Sequence, residues 1–305
     1  MTVTILLSIL SGVSFAGAGL GYKMAERWQC RSSVFILVFA ITGGAFAGIK
    51  AFSETTVWLE PKLWLLGIAM GLLFDLAIYF IMQANRLGPA SASWTVLNLG
   101  LLVPIFISPF IVDEEVLWMD PIIVALFILM LLTFARGMKN TGEVVKGRRK
   151  QHILMLLGIF FAQGFFLLGN KIKYALFNDA STAGLTFIVY LSGATAVLLF
   201  IYTTQKRLTF LGSELKAGAI TGICNSLGVI LLLSAMSLPS TIVFPLSASI
   251  ALLGGVFLTS LVYEEKINRI KTIGVMLGVM ALILAVFREK LANILAHTVG
   301  VIISL

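Results

Sequence analysis

Residues 67–87 read GIAMGLLFDLAIYFIMQANRL, and 151 positions later residues 218–238 read GAITGICNSLGVILLLSAMSL. Each is an apolar helix with two glycines one turn apart near its start (Gly67 and Gly71; Gly218 and Gly222). Each ends in an Ala-x-x-Leu turn (Ala84–Leu87; Ala235–Leu238). The likeness runs on without a gap to Phe134 in the first copy and Ala285 in the second. A further apolar helix opens at Gly88-Pro89 or at Pro239-Ser240. It stops at a charged knot, Asp113-Glu114-Glu115 or Glu264-Glu265-Lys266, and a third apolar run follows. Identities are few, so the ungapped order of helix, turn, helix, acidic knot and helix is what marks a duplication. In an apolar chain such duplications mark transporters.

The rest of the composition agrees with a membrane setting. The chain has 305 residues, 59% of them hydrophobic and 12% charged, with a mean hydropathy of +1.03. That leaves too little polar surface for a water-soluble globule. The apolar segments exceed 17 residues, the length that crosses about 30 Å of hydrocarbon as helix, whereas barrel strands would be shorter and would alternate. A net charge of +8 raises nucleic acid as a partner. The basic residues, however, fall in the gaps between spans and form no stripe with interleaved aromatics, which reads as cytoplasmic loop charge. Cys30 and Cys224, with His152 and His297, give no disulfide framework and no metal-ligand spacing. No metal or cofactor is implied. No Lys or Arg precedes Lys23, so the first 22 residues read as a membrane helix and not as a signal peptide.

Ten spans follow, at 3–22, 33–52, 63–84, 88–111, 117–135, 152–170, 183–204, 213–236, 239–262 and 270–287. The expectation is an all-α integral membrane protein with five helices in residues 1–137 and five in residues 152–290. A basic linker, 138–151, would separate the halves. The apolar tail, 291–305, is too short to span and suits the interface. Of the 22 Lys and Arg, sixteen fall on one side of the spans and six on the other. The positive-inside rule makes the rich side cytoplasmic and puts both termini outside. Five crossings per half then invert the second repeat relative to the first. Trp58, Trp64 and Trp118, at span ends, read as interfacial belt residues. The bacterial inner membrane is the expected location.

Among the polar residues inside spans, Asp75 is the most expensive, because a carboxylate at mid-helix costs roughly 2.5–3.5 kcal/mol on insertion scales. Tyr79 and Gln83 follow it at four-residue steps. Two readings stand: a neutral carboxyl bonded to a hydroxyl and locking two helices, or a site for a cationic group or a proton. The second copy has Ser226 at the matching position with Asn225 beside it, so the acid exists in one half only. Trp94 and Asn98 mark the fourth span. Pro104, Pro109 and Pro245 interrupt the fourth and ninth, either as packing kinks or to free carbonyls toward a watery space. Gly12–Gly17 resembles Gly158–Gly164 in the sixth span, where Gln163 adds an amide. Lys171, near the end of that span, is expected to snorkel to the surface. The fifth and tenth spans are almost purely apolar and are expected to face lipid or a second subunit. No nucleotide, metalloprotease or hydrolase motif is present.

Gly88-Pro-Ala-Ser91 opening the fourth span, the acids Glu114 and Glu265 after the fourth and ninth, and Ile273-Gly274 with Gly278 in the tenth resemble the drug/metabolite transporter superfamily, in particular its EamA-like branch. The resemblance implies a secondary transporter that is not an enzyme. Its cavity would lie between spans 1, 3, 4 and spans 6, 8, 9, with spans 5 and 10 peripheral. The sequence departs from the family pattern at Glu264-Glu265-Lys266, where a single Gly-Glu pair is usual. The expected function is alternating-access transport of a small polar metabolite such as an amino acid, a sugar or a drug-like compound. Asp75, Tyr79, Trp94, Asn98, Gln163, Asn225 and Ser226 would line the midplane site. The alternative is a lipid-intermediate flippase subunit or a non-transporting membrane scaffold. Expected partners are the small-molecule substrate, membrane lipid and a second copy of the chain through spans 5 and 10.

Overall fold

A computed structural model describes residues 2–54, 60–88, 90–112, 114, 116–137, 147–204, 209–263, 269–270, 272–281 and 283–287. The described residues form helices and turns, with no strand. The helices are α1 (Thr2–Arg27), α2 (Ser32–Ser53), α3 (Pro61–Leu87), α4 (Ala90–Leu99), α5 (Leu102–Ile107), α6 (Pro109–Val112), α7 (Asp120–Gly137), α8 (Arg149–Leu176), α9 (Thr182–Thr204), α10 (Gly212–Ser234) and α11 (Ser240–Tyr263). A last apolar helix covers Thr272–Phe287. Among the described residues, seven helical segments are long and apolar enough to cross a membrane, and three shorter apolar helices accompany them. Large apolar side chains such as Leu6, Leu65, Leu72, Phe161, Leu199 and Phe257 stand exposed. That surface belongs in lipid. The chain is an integral membrane protein.

Most expected spans match single helices; the fourth does not. Residues 88–111 are three helical pieces with breaks at Gly100 and Ser108. Pro104 lacks the N–H that would bond Gly100 in a regular turn, and the Gly100 carbonyl instead accepts from Val103 N at 3.0 Å. Pro245, by contrast, lies inside α11 without ending it. Trp64 packs against the main apolar cluster, and Trp118 is exposed, as a belt residue would be. Trp58, the segment 138–146, Glu264 to Lys266 and the tail from 288 onward lie outside the described residues.

The principal packing runs between the two halves of the chain. α1 lies against α10 and α11, α2 against α9 and α10, α3 against α8 and α9, and α8 also takes α4 and α5. Glycines make this possible. A methyl group on Gly67 would sit 2.6 Å from Ile188 Cγ2, and one on Gly218 would sit 2.7 Å from Val38 Cγ1. One turn on, Gly71 presses on Val189 and Ser192, and Gly222 on Phe39, Thr42 and Gly43. Such small-residue contacts let backbones approach where no hydrophobic effect drives association. The glycines of α1 and α8 make close contacts of the same kind. Gly12 meets α11 at Ser247 and Ile250, and Gly17 meets Cys224 of α10. Gly164 meets Gly100 and Val103, and Gly169 meets Met70 of α3. The pair Gly12 and Gly17 corresponds in its contacts to Gly164 and Gly169. Gly158 presses on Phe80.

Polar contacts join the halves at both ends. At one end Arg31 donates Nε (2.8 Å) and Nη2 (2.8 Å) to the buried Glu214, which also caps Leu211 N at 3.0 Å. At the other end Ser181, capping α9 through Gly184 N at 2.8 Å, bonds Glu54 at the end of α2.

Candidate functional site at Asp75

The buried stripe of α3 runs through Gly67, Met70, Gly71, Phe74, Ala77, Ile78, Ile81 and Ala84. Asp75 lies at the edge of that stripe, half-buried, one turn beyond Gly71. It faces α9 at Gly193, where an added methyl group would come 2.9 Å from each carboxylate oxygen. Oδ2 is buried and has no hydrogen-bond partner among the described residues. Burial of a carboxylate oxygen without a donor is costly.

Aromatic rings from five helices gather beside it. Phe74 lies 4.9 Å from Phe166 of α8 with the rings tilted, and meets the Tyr190 ring of α9 at 6.2 Å, edge to face. Phe39 of α2 stands 5.5 Å from Tyr190 and 6.2 Å from Tyr22 of α1. The phenols of Tyr22 and Tyr190 lie within electrostatic reach of Asp75. Tyr190 Oη accepts from Asn225 Nδ2 of α10 at 2.7 Å. Its own proton is therefore free to be donated.

Of the expected site residues, the structure brings Asp75 and Asn225 to one cluster through Tyr190. Ser226 is fully buried with its Oγ lacking a partner among the described residues. It continues the Gly218–Gly222 row of α10, as Asp75 continues the Gly67–Gly71 row of α3. Tyr79 is 45% exposed, its ring beside Phe80. Each four-residue step drifts about 40° around a 3.6-residue helix, so a row that starts at the edge of the buried stripe leaves it within one step. Asn98 and Gln163 are half-buried. Gln163 belongs to the contact of α8 with the break in the fourth span, since a methyl group on Gly100 would sit 3.2 Å from its Cβ and Cγ. The Trp94 side chain lies outside the described residues.

Tyr22, Tyr190 and Gly193 are not among the residues expected from sequence. Tyr190, in mid-span, carried the one available signal, because tyrosines favour the headgroup layer and need a partner deeper in. Lys171 was misread. It is 1% exposed and pairs with Glu114 at 2.6 Å, while Nζ donates to Met236 O (3.1 Å) and Leu238 O (2.7 Å). Snorkelling needs a path along lipid, and Lys171 projects from the buried face of α8. Ser240 donates its backbone N–H (2.9 Å) and hydroxyl (3.1 Å) to Glu114. Ser108 Oγ lies 3.0 Å from Glu114 Oε2 and 2.6 Å from Ser240 Oγ. Among the described residues no three His, Cys, Asp or Glu side chains gather to hold a metal.

The sequence matches no known family profile. It is 23% identical over 234 residues to an uncharacterized protein of Haemophilus influenzae, covering 73% of this chain and 76% of that one. A solved structure described as "Crystal structure of protein" superposes with a TM-score of 0.75 at 17% identity, covering 96% of this chain and 98% of the other. That likeness concerns the fold.

Proposed function

We propose that the chain is a ten-span secondary transporter of two inverted five-helix repeats, akin to the EamA-like branch of the drug/metabolite transporters. It would carry a small polar metabolite by alternating access between its halves. Several contacts support the repeat: α3 on α9 and α10 on α2 use glycines 151 positions apart, and Gly12 and Gly17 have counterparts in Gly164 and Gly169. The reading rests above all on the unpartnered carboxylate oxygen of Asp75, buried between the halves and present in one copy only. Symmetry can supply a scaffold that rocks; the lone acid supplies a place for a proton or a substrate ammonium group. Tyr190 and Asn225 would present hydroxyl and amide groups beside it, and Ser226, Asn98, Gln163, Trp94 and Tyr79 would shape the path.

Purified protein in liposomes, offered amino acids, sugars and cationic drugs with and without a pH gradient, tests the proposal. Gradient-dependent uptake of at least one class is expected. Asp75→Asn should abolish that dependence while the protein keeps its elution profile and helix content. Full coupling in the variant would remove Asp75 from the mechanism.

A further inference from the structure

The Glu114–Lys171 pair lies outside the Asp75 cluster, yet it joins more crossings than any other polar contact described above. Glu114 follows α6 in the first half of the chain. Lys171 projects from α8, Met236 and Leu238 belong to the turn between α10 and α11, and Ser240 opens α11. The carboxylate takes the N–H that α11 leaves unpaired at its start, and the ammonium takes carbonyls of the turn that follows α10. Both charges are buried, with side-chain exposures of 1% for Lys171 and 7% for Glu114.

A buried pair of this kind has a particular energetic profile. Coulomb attraction and hydrogen bonds roughly offset the cost of stripping water from both ions, so the intact pair adds little net stability. Removing one partner leaves an uncompensated buried charge and is strongly unfavourable. Hydration of the node restores what the pair loses on separating. Such a contact is therefore strong against single loss and weak against wetting.

We infer that Glu114 and Lys171, with Ser108 and Ser240, form the lock that holds the halves together at the α10–α11 turn and opens by hydration when that face admits solute. Arg31 and Glu214 hold the halves at the opposite face, where Arg31 is 42% exposed. The structure has both contacts made at once. The purpose of the lock rests on the transporter reading, but the test needs neither substrate nor gradient, so the two fail separately.

In a chain carrying Cys30→Ser and Cys224→Ala, two single reporters measure opening by the rate of reaction with a water-soluble maleimide. Phe244→Cys is 3% exposed, one turn below Ser240; Ala84→Cys is fully buried toward the opposite end of the bundle. Glu114→Gln and Lys171→Met should each speed labelling of Phe244→Cys about tenfold without speeding Ala84→Cys. Glu114→Gln combined with Lys171→Met, which leaves no unpaired charge, should return the rate to within about threefold of the parent. Glu114→Asp keeps the charge but shortens its reach, and should give a rise of about threefold; it carries the test if the neutral single variants do not fold. Rates unchanged within about twofold, or an equal rise at both reporters, would overturn the lock.

Discussion

Gly193 decides where the Asp75 carboxylate can be. A methyl group there would meet both oxygens at 2.9 Å, but it would meet the mobile end of a side chain and not backbone. Gly193→Ala should therefore cost less than about 1 kcal/mol of stability, because the carboxylate can swing away and alanine favours helix. It should still impair gradient-driven transport as strongly as loss of the acid. Unfolding in increasing detergent denaturant, paired with liposome uptake, separates the two effects. Tyr190→Phe removes the 2.7 Å bond to Asn225 and leaves a buried amide unpaired. A loss of about 0.5–1.5 kcal/mol is expected in the same unfolding assay. Asp75 was legible in the sequence because a charge inside an apolar run is conspicuous. Tyr190 offered a weaker signal, and Gly193 offered none, since a glycine does not depart from the composition of a membrane helix until its neighbours are known. Lys171 was conspicuous and still misread, because sequence position fixes depth in the membrane but not which way a side chain points.

At the level of elements, the contacts of α3 on α9 and of α10 on α2 are built alike. Gly71→Leu and Gly222→Leu should each destabilise the fold by about 1–3 kcal/mol through forced separation of backbones. Gly19→Ala, where an added methyl group would meet nothing within 4 Å, should be neutral or stabilise by about 0.5–1 kcal/mol. Near-equal effects at Gly71 and Gly222 would mark the two contacts as structural copies. The helices themselves were readable from apolar length. The breaks at Gly100 and Ser108 were only half readable: Pro104 and Pro109 announced them, but Pro245 announces the same and α11 continues through it. A proline removes one hydrogen bond in either case, and packing decides whether the helix bends or stops.

For the whole molecule, the distribution of Lys and Arg predicts that the basic linker faces the cytoplasm. Arg148→Cys, at the basic linker, should react with an impermeant thiol reagent only after the membrane is opened. Ser237→Cys, exposed in the turn between α10 and α11, should react in intact cells. The opposite pattern would reverse the topology. Long-range partnership was the part hidden from the sequence, because a likeness between two segments does not say which segments touch.

That partnership sets the order of events during biosynthesis. Gly21 of α1 packs on Thr221 of α10, and Gly12 on Ser247 and Ile250 of α11, so the first helix leaves the ribosome more than 200 residues before its partners. At about 5–20 residues per second that is a wait of roughly 10–40 s. Through that interval α1 and α2 lie in the bilayer with their glycine-lined faces against acyl chains. Native docking of α1 must therefore follow insertion of the second half.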